Sequence, residues 1–208
     1  MSSIWVKVCG LTRPADVVAA IAAGADAIGL VLVERSPRRL DPQRASELAA
    51  VAKGRATIVL LVEESPDAAV SLARRVGADS IQPYGPHAHA AAEAAIEAGL
   101  QVLFPVGVDS HGDLNLADLP DGVVPLLDTA VDGVSGGTGR TFDWSRAAGV
   151  SGAVIAGGLN ADNVSAAITA ARPHGVDASS GLEADVGIKD DSKVTAFVAA
   201  ARAAANGR

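Results

Sequence analysis

Cys9 is the only thiol in the 208 residues, and it stands where the apolar run Ile4-Trp5-Val6-Lys7-Val8 meets a turn at Gly10. Barrels and open α/β sheets build their sites at strand ends of this kind. A lone thiol there is a candidate proton acceptor. Its counterpart is Asp128, which closes the apolar run Pro125-Leu126-Leu127 and by the same geometry points into the same mouth. A thiol and a carboxyl facing each other across a site form an acid/base couple, one taking a proton and the other giving one. Ser36-Pro37-Arg38-Arg39 adds guanidinium groups, and a guanidinium matches a carboxylate in a bidentate geometry. Only one of the two arginines need face the site.

Glycine gathers in the second half of the chain. Ser135-Gly136-Gly137-Thr138-Gly139, Ala156-Gly157-Gly158-Leu159-Asn160 and Ser179-Ser180-Gly181 each follow one of the last three strand candidates. Consecutive glycines expose backbone N–H groups and let a phosphate approach closely, and a helix that follows adds the positive end of its dipole. Eight-stranded barrels commonly hold phosphate after strands seven and eight. Three such loops at one end predict a small phosphorylated ligand. The histidines at 87, 89, 111 and 174 lack Cys or carboxylate neighbours at zinc spacing, so no metal is expected.

These residues need a frame that brings strand ends together. Apolar runs at 4–9, 26–33, 56–62, 79–82, 101–106, 123–128, 152–156 and 175–178 read as strands. Helical stretches at 14–23, 41–53, 65–76, 87–98, 142–148, 160–171 and 190–204, with a weak one at 111–119, alternate with them. Thr12, Asp41, Ser65 and Asn160 stand as candidate N-caps, three of them shortly before a proline. Gly24-Ala25-Asp26, Gly77-Ala78-Asp79 and Gly175-Val176-Asp177 repeat one pattern, in which Gly ends a helix and Asp leads into a strand. On that pattern Asp177 reads as structural. The series matches a closed (β/α)8 TIM barrel, a compact single domain over 1–208, better than the alternative doubly wound sheet.

Composition narrows the function classes. A net charge of -7 argues against nonspecific nucleic-acid binding, which needs a basic face. Aromatics make up only 3%, so the core must be built from small and β-branched side chains and stacked bases are not expected as ligands. One cysteine makes no internal disulfide, and no apolar run reaches the length of about 18 residues that suggests a membrane span. A soluble cytoplasmic protein, a monomer or homodimer without membrane or nucleic-acid partners, is the expectation.

Taken together, the motifs resemble the phosphoribosylanthranilate isomerase family of tryptophan biosynthesis. Lys7-Val8-Cys9-Gly10-Leu11-Thr12 looks like its opening K-[IV]-C-G-[IL]-T and Ser36-Pro37-Arg38 like its S-x-R. Leu126-Leu127-Asp128, Gly136-Gly137-Thr138-Gly139 with Phe142-Asp143-Trp144, Ala156-Gly157-Gly158-Leu159, the stretch Val176 to Glu183, and Gly187-Ile188-Lys189-Asp190 follow in the family's order. The resemblance implies an Amadori rearrangement of N-(5-phosphoribosyl)anthranilate to 1-(2-carboxyphenylamino)-1-deoxyribulose 5-phosphate, without a cofactor. It implies Asp128 as general acid and Cys9 as the base at C2. It further implies Arg38 on the anthranilate carboxylate, with Gly137, Gly158, Ser180 and Gly181 around the phosphate. A free cysteine has a pKa of about 8.5, so the site is expected either to lower it somewhat or to pay a protonation penalty at neutral pH, with Lys7 on the same strand face either helping or structural. Asp128 must arrive protonated.

Two stretches depart from the family. Gln82-Pro83-Tyr84-Gly85 stands where Q-L-H-G is usual, so a phenol replaces an imidazole, and Leu60-Leu61-Val62 stands where G-V-F is usual. Tyr84 can keep a hydrogen bond and an aromatic surface but cannot carry a proton near neutral pH. Asp143 and Trp144 read as anchors of their loop. Two rival readings remain: a related aminoaldose isomerase of histidine biosynthesis, and a barrel that binds a phosphorylated ligand without turnover. The first uses Asp where this chain has Cys9 and carries a phosphate loop in its first half, where Gly-Gly is missing here.

Overall fold

Parallel strands separated by helices close on themselves in this chain. They are β1 (Trp5–Cys9), β2 (Ala27–Val31), β3 (Thr57–Val62), β4 (Ser80–Pro83), β5 (Gln101–Val108), β6 (Val124–Val131), β7 (Val154–Ile155) and β8 (Gly175–Ala178). Each pairs with the next, β5 pairs with β6, and β8 returns to β1 with Trp5 opposite Gly175 and Lys7 opposite Asp177. Closure leaves no open edge, so the fold is the (β/α)8 TIM barrel and not the doubly wound sheet. The computed structural model describes residues 4–108, 114, 116–131, 134–135 and 141–207.

The helices are α1 (Pro14–Ala22), α2 (Pro42–Ala52), α3 (Pro66–Val76), α4 (Ala88–Glu97), α5 (Val164–Ala171) and α6 (Asp191–Asn206). Proline opens the first three, where its missing N–H costs nothing and its fixed φ suits the first turn. Asp41 caps α2 by accepting from the Arg44 N–H at 2.8 Å. Three other caps differ from expectation. Arg13 occupies the N-cap of α1 while the Thr12 hydroxyl donates to the Gly187 carbonyl, so Thr12 ties two loops together. Ser65 sits at its N-cap position without a side-chain bond. Asn160 holds a separate turn, accepting from Asp162 and Asn163, and α5 starts only at Val164. The helix expected over 142–148 is a single 3-10 turn, Trp144–Ala147. Of the weak helix expected over 111–119, residues 111–113 and 115 lie outside the described residues, and 114 and 116–119 are not helical. No helix among the described residues is long and apolar enough to cross a membrane.

Strand side chains alternate between the barrel interior and the helix layer. Cys9, Ala27, Val59, Leu61, Leu103, Leu126 and Val154 fill the interior, with Trp5 and Tyr84 packed against them. Val6, Val8, Ile28, Leu30, Leu127 and Ile155 face outward and pack with Phe197 and the Ala-rich helix faces. Full burial of one such Leu or Ile contributes about 1.5–3 kcal/mol. Gly29 shows why the interior is built from small residues: a Cβ there would meet the Cys9 sulfur at 2.5 Å. Its bare backbone makes the space in which Cys9 stands.

Candidate active site

A cavity of about 210 Å³ opens at the C-terminal mouth of the barrel. Cys9, Arg38, Asp128, Gly158, Ser180 and Gly181 all line it. Gly137 lies outside the described residues. Strand ends supply the first and third of these, and the loops after β2, β7 and β8 supply the rest.

Beneath Cys9 the barrel holds a polar layer. Lys7 is wholly buried, and its ammonium donates to Asp177 Oδ2 at 2.7 Å and to Gln82 Oε1 at 3.1 Å. Asp177 therefore faces the cavity, against the structural role that the repeat suggested. The reason is register: Asp177 and Ala27 both pair with Lys7, so Asp177 occupies the slot one residue beyond the one Asp26 holds. A shift of one residue turns a side chain to the opposite face. Its second oxygen, Oδ1, is buried without a hydrogen-bond partner among the described residues.

The Cys9 thiol is pushed up from its usual pKa, chiefly by burial, while Lys7 and Lys189 pull it down and Asp177 adds to the rise. Of the two alternatives, a lowered pKa and a protonation penalty at neutral pH, this direction fits the second. A closed barrel removes water from the thiolate, and that desolvation outweighs the cations. Lys7 is affected in the opposite sense for its charged form. Burial alone would lower its pKa, but Asp177 and Cys9 together raise it, so the ammonium stays charged.

Arg38 is held rather than loose. Its Nε and Nη2 donate to the two carboxylate oxygens of Glu183 at 2.6 and 2.7 Å. Glu183 also accepts from Lys189 at 2.8 Å. Burial would raise the Glu183 pKa, yet Arg38 and Lys189 hold it below the usual carboxylate value. Two of the five guanidinium donors are used, so the others remain for a ligand. Gly10 makes this placement workable: it turns at φ 73°, and a Cβ there would strike the Arg38 side chain. Arg39 instead turns away toward Glu34.

Gly157 and Gly158 both lie at positive φ, 85° and 62°, a conformation that glycine adopts without strain. No hydrogen bond occupies either of their N–H groups among the described residues. Asn163 steadies the loop by donating to the Gly158 carbonyl at 2.9 Å. Gly181 lies against the Leu159 carbonyl so closely that any Cβ would collide with it. The two loops thus meet at the rim.

Tyr84 lines the cavity and accepts a hydrogen bond from Gln82 Nε2. Burial, and next the carboxylate of Asp128, push its pKa well above the ordinary phenol value. It remains a neutral hydroxyl with its own proton to donate. The sequence alone did not point to Glu183 as the partner of Arg38, 145 positions away, or to Lys189 as the second cation on Glu183. The signal available was that two charged residues sit inside apolar stretches near a glycine-rich loop.

Comparison with known proteins agrees with this geometry. The family model "N-(5'phosphoribosyl)anthranilate (PRA) isomerase" matches residues 6–200. The N-(5'-phosphoribosyl)anthranilate isomerase of Afipia carboxidovorans is 41% identical over 221 residues, covering 98% of this chain and 92% of that protein. The crystal structure of phosphoribosyl anthranilate isomerase from Thermotoga maritima superposes with a TM-score of 0.85 at 31% identity, over 99% of this chain and 100% of that one. Another phosphoribosyl anthranilate isomerase structure, in complex with reduced 1-(o-carboxyphenylamino)-1-deoxyribulose 5-phosphate, gives 0.80 at 29% identity over the same shares. With the family model and a full-length relative agreeing, this chain belongs to the N-(5'-phosphoribosyl)anthranilate isomerase family, the isomerases of tryptophan biosynthesis.

Proposed function

We propose that the chain rearranges N-(5-phosphoribosyl)anthranilate to 1-(2-carboxyphenylamino)-1-deoxyribulose 5-phosphate with Asp128 as acid and Cys9 as base. The observation that carries the reading is that both groups, from β6 and β1, line one cavity whose rim holds Arg38 and the loops after β7 and β8. Arg38 takes the anthranilate carboxylate with the donors that Glu183 leaves unused. The N–H groups around Gly158, Ser180 and Gly181 take the phosphate, and the family resemblance adds Gly137, which lies outside the described residues. A single barrel domain working in the cytoplasm on a small phosphorylated substrate is the setting, as a monomer or homodimer.

The chemistry proceeds in three balanced steps. The Asp128 carboxyl gives its proton to the furanose ring oxygen while the bond from that oxygen to C1 breaks and the nitrogen lone pair forms a C1–N double bond. The resulting iminium makes the C2 proton acidic, so a thiolate is base enough. Cys9 takes that proton, and the electrons of the C2–H bond become the C1–C2 double bond of an enolamine as the nitrogen recovers its pair. Gain of a proton at C1 and loss of the one on the C2 oxygen give the ketone. Tyr84 presents an aromatic surface and a hydroxyl donor near the anthranilate ring.

The test follows the loss of anthranilate-substrate fluorescence with purified protein. Wild type turns over, and Cys9→Ala loses turnover by orders of magnitude. Equal, negligible rates in both proteins would instead make this a binding barrel. Turnover of the histidine-pathway aminoaldose at a comparable rate would point to the related isomerase.

A further inference from the structure

We infer that Lys189 is a positioning residue for both anions of the substrate: from behind the cavity wall its ammonium orients the Arg38 guanidinium through Glu183 and the Ser180 N–H through the Ser179 carbonyl. The inference rests on the reading of Arg38 as holder of the carboxylate and of Ser180 as a holder of the phosphate, and goes beyond it. Lys189 ends the short antiparallel pair that Glu183–Asp185 and Ile188–Lys189 form after β8, and it stands opposite Glu183 there. Its side chain is wholly buried. A buried lysine takes its charge out of water, so the groups its donors reach decide why it is kept.

An ammonium carries three N–H donors. Lys189 gives one to Glu183 Oε1 at 2.8 Å and one to the Ser179 carbonyl at 3.0 Å. Arg38, Ser179 and Ser180 line the cavity, whereas Glu183 and Lys189 stand behind them. Both therefore act through the residues in front. On the carboxylate side Glu183 holds Nε and Nη2 of Arg38, and Lys189 holds Glu183. Without Lys189, Arg38 and Glu183 would present a neutral pair to the ligand. With it, two cations share one anion, and the cluster keeps a net positive charge for a second carboxylate.

On the phosphate side the effect is one of direction. In a trans peptide the carbonyl and the N–H that follows it point opposite ways, and no peptide among the described residues is cis. The Ser179 carbonyl is held on the Lys189 side, where it also accepts from the Leu182 N–H at 3.1 Å. The Ser180 N–H of the same peptide is thereby turned toward the cavity. Lys189 is itself fixed, since its N–H donates to Asp16 Oδ2 at 3.1 Å and Arg13 donates to the same carboxylate. A ligand group gains most where its partner is already oriented. A lysine that only tied this hairpin to the barrel would weaken every ligand alike, whereas a positioning lysine changes how much each anion contributes.

The experiment measures Kd by calorimetric titration for reduced 1-(o-carboxyphenylamino)-1-deoxyribulose 5-phosphate, for its analogue without the ring carboxylate and for its analogue without the phosphate. The ratio of each truncated Kd to the full one gives a carboxylate factor and a phosphate factor. Arg38→Ala is the reference, expected to abolish the carboxylate factor and leave the phosphate factor. In Lys189→Met both factors should fall about tenfold. In Lys189→Gln, neutral but still an amide donor, they should fall less. Circular dichroism establishes that each variant is native, and Lys189→Gln is read against wild type if Lys189→Met does not fold. Three Kd values that rise together with both factors unchanged mean a structural lysine and overturn the inference, as does a fall in the carboxylate factor alone. Equal losses in Lys189→Met and Lys189→Gln mean a charge effect without orientation and overturn it too. If the carboxylate gives wild type no advantage, the reading of Arg38 fails and takes the inference with it. If it gives one that Lys189→Met leaves intact, the inference alone fails.

Discussion

The two ends of the barrel carry aspartates at matching points of the same short pattern, yet they use them differently. At the N-terminal end Asp26 accepts from the Val6 N–H at 2.7 Å and pairs with Arg202 at 2.7 Å, and Asp79 accepts from the Ile58 N–H at 2.8 Å. Each closes a strand onto its neighbour. At the C-terminal end Asp177 keeps one oxygen buried and without a hydrogen bond, and a buried Lys7 and a thiol with raised pKa stand beside it. Buried polar groups left partly unsatisfied are expensive. A barrel tolerates that cost where a ligand completes the bonds. The N-terminal end holds the closed sheet together, and the C-terminal end holds groups ready for a substrate.

The largest effect that separates the two ends is on rate. Cys9→Ala should lower kcat by about a thousandfold or more, and Asp128→Asn by a comparable factor, because each removes a proton carrier. Both should leave Tm close to wild type, since each side chain lines the cavity and not the packed layer between strands and helices. A large fall in Tm for Cys9→Ala would break the division of labour between the ends. The complementary change is at the other end. In Gly175→Ala the added Cβ would meet the Trp5 ring and carbonyl at 2.8 Å, so β1 and β8 must part slightly. Overpacking of that kind costs about 2 kcal/mol, a fall in Tm of about 6 °C for a chain of this size. Thermal denaturation with steady-state kinetics checks both: stability should drop and kcat should hold.

The same contrast explains what could be read from the chain alone. The alternation of apolar runs with Ala-faced helices was sufficient for the barrel, because closure buries each strand on both sides and leaves a hydrophobic signature. Parity along β1 was sufficient to put Lys7 on the face of Cys9. Asp177 was misread because the Gly-x-Asp pattern fits two registers. Gly24 and Gly77 end helices at positive φ, 94° and 78°, whereas α5 ends earlier, at Arg172 with φ 49°, and Gly175 already belongs to β8. The direction of the Cys9 shift stayed open in the sequence because desolvation is set by seven other strands. Glu183 was missed as the holder of Arg38, and Lys189 as its second partner, because ion pairs between segments distant in sequence leave no periodic trace. Residues 136–140 lie outside the described residues, so the loop after β6 adds nothing to this account.

The smallest of these effects sharpens the role of the rim. Arg38→Lys keeps the positive charge, so long-range attraction for an anionic substrate is unchanged. What it loses is the planar fork, which serves Glu183 on one edge and leaves donors for a carboxylate on the other. An ammonium cannot hold both in fixed geometry. KM should rise about tenfold, the equivalent of about 1.4 kcal/mol, with kcat changed by less than about twofold. The pH dependence follows from the sign of the Glu183 shift. Its carboxyl is held below the ordinary value of 4.5, so the clamp is fully formed above that pH and is lost only as pH falls through the lower folded value. Between about pH 6 and 8 this pair therefore contributes no slope to KM in wild type, and the ratio of the two KM values should be constant there. A ratio that narrowed toward pH 6 would mean that the guanidinium is held by a group titrating near neutrality. A kcat loss as large as that of Cys9→Ala would move Arg38 from the rim into the proton-transfer step itself.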